Sequence, residues 1–208
     1  MFDALTYKIM LEQIRENCKN YGIVNDMIGI LVTRPQLPVG KQIMNDLSYY
    51  HFRTGNSINF YLPGYSAYCE YPDSETVTVV AGEKWCFSDK MFVSFIEDLE
   101  KNTKWKYSGE SELLLVELRN GRICFQNTMQ FYMDKMIRDK VIDSVNQFFE
   151  NLFRMTKDAS SLKKISNNLG KNKFKEVSRD ILLKKMPLEM GNIFKQEKYF
   201  CVSNIGEY

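Results

Sequence analysis

The chain has 208 residues, of which 44% are hydrophobic and 26% charged, the proportions of a globular protein with a sizeable core rather than of a disordered one. The net charge of +2 excludes a surface built throughout for nucleic acid, but the charge is uneven: residues 156–208 hold 11 Lys and Arg against 6 Asp and Glu, leaving 17 against 20 in the rest. The five cysteines (Cys18, Cys69, Cys86, Cys124 and Cys201) contain no C-x-x-C pair, the acidic start "MFDALTYKIMLEQIRENCKN" is no signal peptide, and no apolar run approaches the roughly 18 residues of a membrane span, so the expectation is a reduced, cytoplasmic protein with buried thiols.

No internal repeat is present, which removes solenoids and propellers. Tyr7, Met10, Leu11, Ile14, Cys18 and Tyr21 recur at three- and four-residue steps, one face of a helix that Gly22 stops. "MIGILVT" (27–33) is a nearly continuous apolar run, as in a strand covered on both faces. After the proline-bearing loop "RPQLPVG", a helix from Gly40 to about Arg53 places Ile43, Met44, Leu47 and Tyr50 inward, with Gly55 as its stop. "SINFYL" then alternates Ile58, Phe60 and Leu62 with Asn59 and Tyr61, the period of a strand. Residues 63–75, "PGYSAYCEYPDSE", read as a surface loop.

"TVTVV" and "KWCF" flank Ala81-Gly82-Glu83 as a candidate hairpin, and Ser88 is a suitable N-cap for a helix reaching about Asn102. "ELLLVEL" and "RICFQ" surround Asn120-Gly121, two residues that tolerate positive φ and so suit a type I′ turn. A single helix from about Asp134 to Met155 follows, then two shorter helices near 159–169 and 172–185, and an aromatic tail after Pro187. The expected fold is α/β (or α+β): a mixed sheet with helices on both faces. Residues 1–155 form the core with its amino-terminal helix, and residues 156–208 form a basic helical extension whose aromatic tail packs on the core or on a partner.

The element order over roughly 27–155, a βαβ unit joined through a helix to a ββα unit, is similar to that of the thioredoxin fold. Where that family carries its cysteine pair, just after the first strand, this chain has Pro35, Gln36, Leu37, Pro38 and Val39. Before "ELLLVEL" there is no proline of the kind that the family keeps in the cis form. The resemblance therefore implies a topology and not a thiol-redox activity.

Four features could carry function. Gly40-Lys41 opens a helix after a strand, the arrangement of phosphate-binding loops, and Arg34 and Lys41 could hold an anion there; Pro35 and Gln42 depart from the nucleotide-binding motif. The only histidine, His51, falls with Arg53 in the last turn of its helix, where cations complement the dipole; its alternative is a thiol-imidazole pair with Cys69 or Cys86. Tyr65, Tyr68 and Tyr71 on one loop suit a protein partner. Lys171, Lys173 and Lys175 lie in the basic segment 157–185 that could contact phosphates of nucleic acid. The carboxylates Glu97, Asp98 and Glu100, and Glu110 with Glu112, read as surface charge.

With a single histidine, the usual zinc sites and a Ser-His-Asp system away from it are not expected, and no catalytic residue, metal or cofactor is assigned. The reading is a cytoplasmic, non-catalytic binding module, a subunit or accessory protein with a protein partner or a second copy of itself and no membrane attachment. Its alternatives are a phosphate- or nucleotide-binding enzyme or sensor using residues 34–41, and a nucleic-acid-associated protein using 157–185.

Overall fold

The computed structural model describes residues 2–54, 58–157 and 198–206. Strand β1 (Phe2–Ala4), too short to show a period in the sequence, leads into helix α1 (Tyr7–Tyr21). The Thr6 hydroxyl accepts the Ile9 amide at the start of α1, and Gly22 closes it at φ 62°, its own N–H bonding to the Cys18 carbonyl. Tyr7, Met10 and Ile14 are buried, but Tyr21, expected on the same face, is exposed.

Strand β2 (Asn25–Val32) follows, buried from Ile28 onward. The single helix expected over 40–53 is two: α2 (Pro38–Asn45) and α3 (Leu47–Thr54), separated at Asp46, whose φ of −108° leaves the helical range. Pro38 occupies the first turn of α2, where its missing N–H costs nothing. Gly55, the expected stop, lies outside the described residues. In strand β3 (Asn59–Pro63) the expected alternation of inside and outside gives way to burial on both faces. Phe60 packs against Phe149 and Phe153, whereas Tyr61 faces the opposite way, stacks on Phe2 and reaches Asn17 of α1. Burial pushes the Tyr61 hydroxyl up to about 12.

Strand β4 (Tyr65–Ser66) begins an insertion that continues as the hairpin β5 (Glu75–Val80) and β6 (Glu83–Phe87), turning at Ala81 and Gly82 with φ of 52° and 87°. Ser88 then caps α4 (Asp89–Asn102) by accepting the Met91 amide, as the sequence implies. The hairpin of β7 (Glu112–Arg119) and β8 (Arg122–Tyr132) turns on Asn120 and Gly121, both at positive φ. The long helix expected over 134–155 is also two, α5 (Met133–Arg138) and α6 (Val145–Lys157). Lys140 at φ 54° breaks the run, and the Ser144 hydroxyl accepts the Gln147 amide at the restart.

Among the described residues, six strands form the central sheet in the order β1-β3-β2-β7-β8-β9, where β9 is Phe200–Ser203. β1 and β2 run parallel to β3; the β2–β7, β7–β8 and β8–β9 pairs are antiparallel. Helices α1 and α4 touch through Tyr7 and Phe95, while α6 covers Phe60 and Phe131 from the other side. The protein is thus a mixed α/β fold with helices on both faces of its sheet, an arrangement compatible with the thioredoxin-like order. The second sheet, β4-β6-β5, sits between β3 and α4 in the chain.

One expectation is corrected at this level, and the described tail takes one of the two placements expected for it. The described tail packs on its own core: β9 is an edge strand of the central sheet, and the Ile205 amide bonds to the Phe125 carbonyl at 3.0 Å. The helices expected near 159–169 and 172–185 lie outside the described residues. The five thiols are not all reduced, because Cys69 and Cys86, 17 residues apart, form a disulfide with a Cα–Cα distance of 5.4 Å. Spacing along the chain does not reveal this pair; the β4–β6 ladder creates it by placing Ser66 opposite Cys86.

Candidate functional site

At the carboxyl end of β2 the chain turns at Thr33 and Arg34 toward α2. Thr33 is fully buried, shares a hydrogen bond of 2.8 Å with the Ser111 hydroxyl, and its carbonyl accepts the Tyr65 hydroxyl at 3.2 Å. Arg34 donates through Nε to Asp89 of α4 at 2.8 Å and lies over the Phe92 ring at 4.5 Å. Its charge and its flat face are therefore both engaged. Lys41 is exposed in the first turn of α2. Gly40 has a packing explanation: a Cβ there would collide with the Arg34 carbonyl and the Thr33 hydroxyl. The residues that resemble a phosphate loop serve the close approach of a helix to the strand before it.

Across the sheet from Val32 stands Glu112, a carboxylate at 0% exposure. Its reading as surface charge is corrected. Glu112 Oε2 accepts Trp105 Nε1 at 3.1 Å and Gln130 Nε2 at 2.6 Å, and Oε1 accepts the Ser108 amide at 2.8 Å. Three donors replace the water that burial removes. The same face continues through Tyr132, the cross-strand partner of Glu112, and Cys201, the partner of Gln130. Burial, together with Cys201 and Glu112 nearby, pushes the Tyr132 hydroxyl up to about 12. Glu110 is different, being paired with Arg138 at 2.9 Å. Glu100 accepts the Tyr107 amide at 2.9 Å and Lys106 Nζ at 3.0 Å, which hold its carboxyl below the usual range.

The tyrosine loop divides into inside and outside. Tyr65 belongs to β4 and is fully buried against Phe87, so its expected place on a binding surface is corrected: β-pairing with β6 turns it into the core. Tyr68 is 70% exposed and Tyr71 36%. The loop of residues 67–74 that carries them is held at several points. The Tyr68 amide donates to Ser66 Oγ at 2.9 Å, Cys69 is bonded to Cys86, and the Ser74 amide bonds to the Tyr71 carbonyl. Asp73 Oδ2 accepts Ser88 Oγ at 2.8 Å and the Lys90 amide at 3.1 Å, which anchors the loop to the start of α4. These two bonds hold the Asp73 carboxyl below its ordinary value, the Ser88 hydroxyl having the larger effect.

His51 lies in the last turn of α3 beside Arg53, its ring edge-on to Phe52 at 5.5 Å. The disulfide takes both Cys69 and Cys86 out of the thiol-imidazole pairing. Arg53 meets Glu150 of α6 through two hydrogen bonds of 3.2 Å, and the Tyr49 hydroxyl donates to the same carboxylate at 2.6 Å. Lys171, Lys173 and Lys175 lie outside the described residues. Among those described, no group of three or more His, Cys, Asp or Glu side chains is arranged to hold a metal ion, and no helix is long and apolar enough to cross a membrane. No family model, curated protein or solved structure matches the chain.

Proposed function

We propose that the protein is a non-catalytic interaction module that docks a protein partner, or a second copy of itself, through the loop of residues 67–74. One observation supports this above the others: Tyr68, 70% exposed, stands on a backbone already fixed by a disulfide, two Asp73 hydrogen bonds and a turn. A tyrosine ring brings a large amphipathic contact area, and a loop ordered before binding loses little entropy when it binds. Tyr71 at the rim of the same loop extends that surface.

The alternatives draw less support. An anion at the 34–41 loop would have to draw Arg34 away from Asp89 and from the Phe92 ring. A nucleic-acid role would rest on lysines outside the described residues. The cytoplasmic placement belongs to the same proposal, and the three unpaired cysteines support it.

The test is to isolate the protein from its host and identify what co-elutes, with the double variant Tyr68→Ala, Tyr71→Ala as the control. The expectation is a stoichiometric partner or a self-associated species, with retention weakened about tenfold or more in the variant while its melting temperature is unchanged. A wild-type monomer that carries nothing, or a variant that retains the partner in full, overturns the reading.

A further inference from the structure

We propose that the Cys69–Cys86 disulfide is a thiol-operated latch on the loop that presents Tyr68 and Tyr71; this rests on the reading of that loop as the docking surface. The two sulfurs sit in different surroundings. Cys69 belongs to an exposed part of the loop, whereas Cys86 is 1% exposed within β6. An external thiolate therefore reaches the bridge at Cys69, and Cys86 is the sulfur that leaves. Cys86 Sγ lies 3.5 Å from the Thr76 hydroxyl, which can donate a hydrogen bond to the departing thiolate.

What the bond holds is the loop and not the fold. The β4–β6 and β5–β6 ladders, the Tyr65–Phe87 ring contact and the Tyr65 hydroxyl on the Thr33 carbonyl tie the small sheet to the core without it. With the bridge open, the loop keeps the Asp73 contacts at one end and the Ser66 contact at the other, while the segment bearing Tyr68 loses its covalent tie. The chain also carries three half-buried free thiols, so it combines one bridge with the cysteine chemistry of a reducing environment.

The step balances with a dithiol as reductant. One of its thiolates attacks Cys69 Sγ, forming a mixed disulfide and breaking the bond to Cys86, which leaves as a thiolate and takes up a proton. The second thiolate of the reductant then attacks the reductant's own sulfur in the mixed disulfide. Cys69 is released and protonated, and the reductant departs as a cyclic disulfide, having supplied two electrons and two protons. A disulfide oxidant such as oxidised glutathione reverses the exchange.

The experiment uses the full chain with dithiothreitol as the probe. Thiols are counted by alkylation and mass after denaturation, the loop by the rate of chymotrypsin cleavage at Tyr68 and Tyr71, and the fold by its thermal transition. The latch predicts that native-state reduction raises the count from three to five, speeds loop cleavage about tenfold and leaves the thermal transition cooperative. Oxidised glutathione should restore the protected loop, and Cys69→Ser, a change at an exposed position, should cleave at the reduced rate with or without dithiothreitol. A bridge that yields only after denaturation, a cleavage rate indifferent to reduction, or loss of the cooperative transition overturns it. Partner retention separates the two readings. If Tyr68→Ala, Tyr71→Ala abolishes retention while reduction leaves it untouched, docking stands and the latch falls; if the tyrosine variant still retains the partner, the docking surface itself is wrong.

Discussion

A carboxylate persists at position 112, inside a strand with no exposure, because three N–H groups converge on it. Glu112→Ala would leave Trp105 Nε1 and Gln130 Nε2 buried without an acceptor, while the amide of the exposed Ser108 could turn to water, so urea unfolding should report a loss of about 3 kcal/mol. Glu112→Gln, which keeps one acceptor oxygen, should lose less; an alanine variant within about 0.5 kcal/mol of wild type would refute this account. Gly29 poses the opposite constraint, since a Cβ there would run into the Phe60 ring, itself fixed between Phe149 and Phe153. Gly29→Ala should cost about 1–3 kcal/mol by overpacking, measured in the same way. Neither fact is legible in the sequence. Trp105 and Gln130 stand 7 and 18 residues from Glu112, so its donors become visible only when β7, β8 and the 103–110 segment meet. The burial of Tyr65 is not legible either, because a two-residue strand shows no period.

At the scale of elements, caps and turns carried the most information, and continuous helical periodicity carried the least. Ser88, Gly22 and Asn120-Gly121 act through their own backbone neighbours, so their chemistry is local and could be read directly. The breaks at Asp46 and Lys140 were hidden because the apolar spacing continues across them. One local device gives a pH prediction. Asp73 has its carboxyl held below the ordinary range by Ser88 and Lys90, so its grip on the loop is complete above the ordinary carboxylate value of about 4. That grip is lost as pH falls through the lower folded value. Hydrogen exchange of the Lys90 amide, corrected for the intrinsic rate, should lose protection in that window sooner than amides in the middle of α4. Asp73→Asn should remove the pH dependence, and equal protection in both proteins at all pH values would exclude the mechanism.

For the whole molecule, the decisive pairing is between β8 and β9, which brings residues 200–203 onto the same sheet as residues 2–4. Phe200 is buried against Phe131 with ring centroids 5.4 Å apart. Phe200→Ala should therefore destabilise the core by about 3 kcal/mol or more, and circular dichroism and tryptophan fluorescence should still report one coincident transition. Two separated transitions would mean that the tail folds as its own unit. The mixed sheet with helices on both faces was legible from the alternation of strand and helix patterns. The closing strand was not, because "YFCVS" at the end of a basic segment gives no sign of which edge it completes.

The position of β9 also sets an order of events during synthesis. The other described strands of the central sheet leave the ribosome before residue 133, yet the outer edge of β8 gains β9 as its partner only after residue 200 has emerged. For that interval the nascent protein presents an unpaired strand edge, the kind of surface that attracts holdases and seeds aggregates. Ribosome-stalled chains ending before residue 198 are expected to bind such chaperones, and chains stalled after β9 has cleared the exit tunnel are expected to release them.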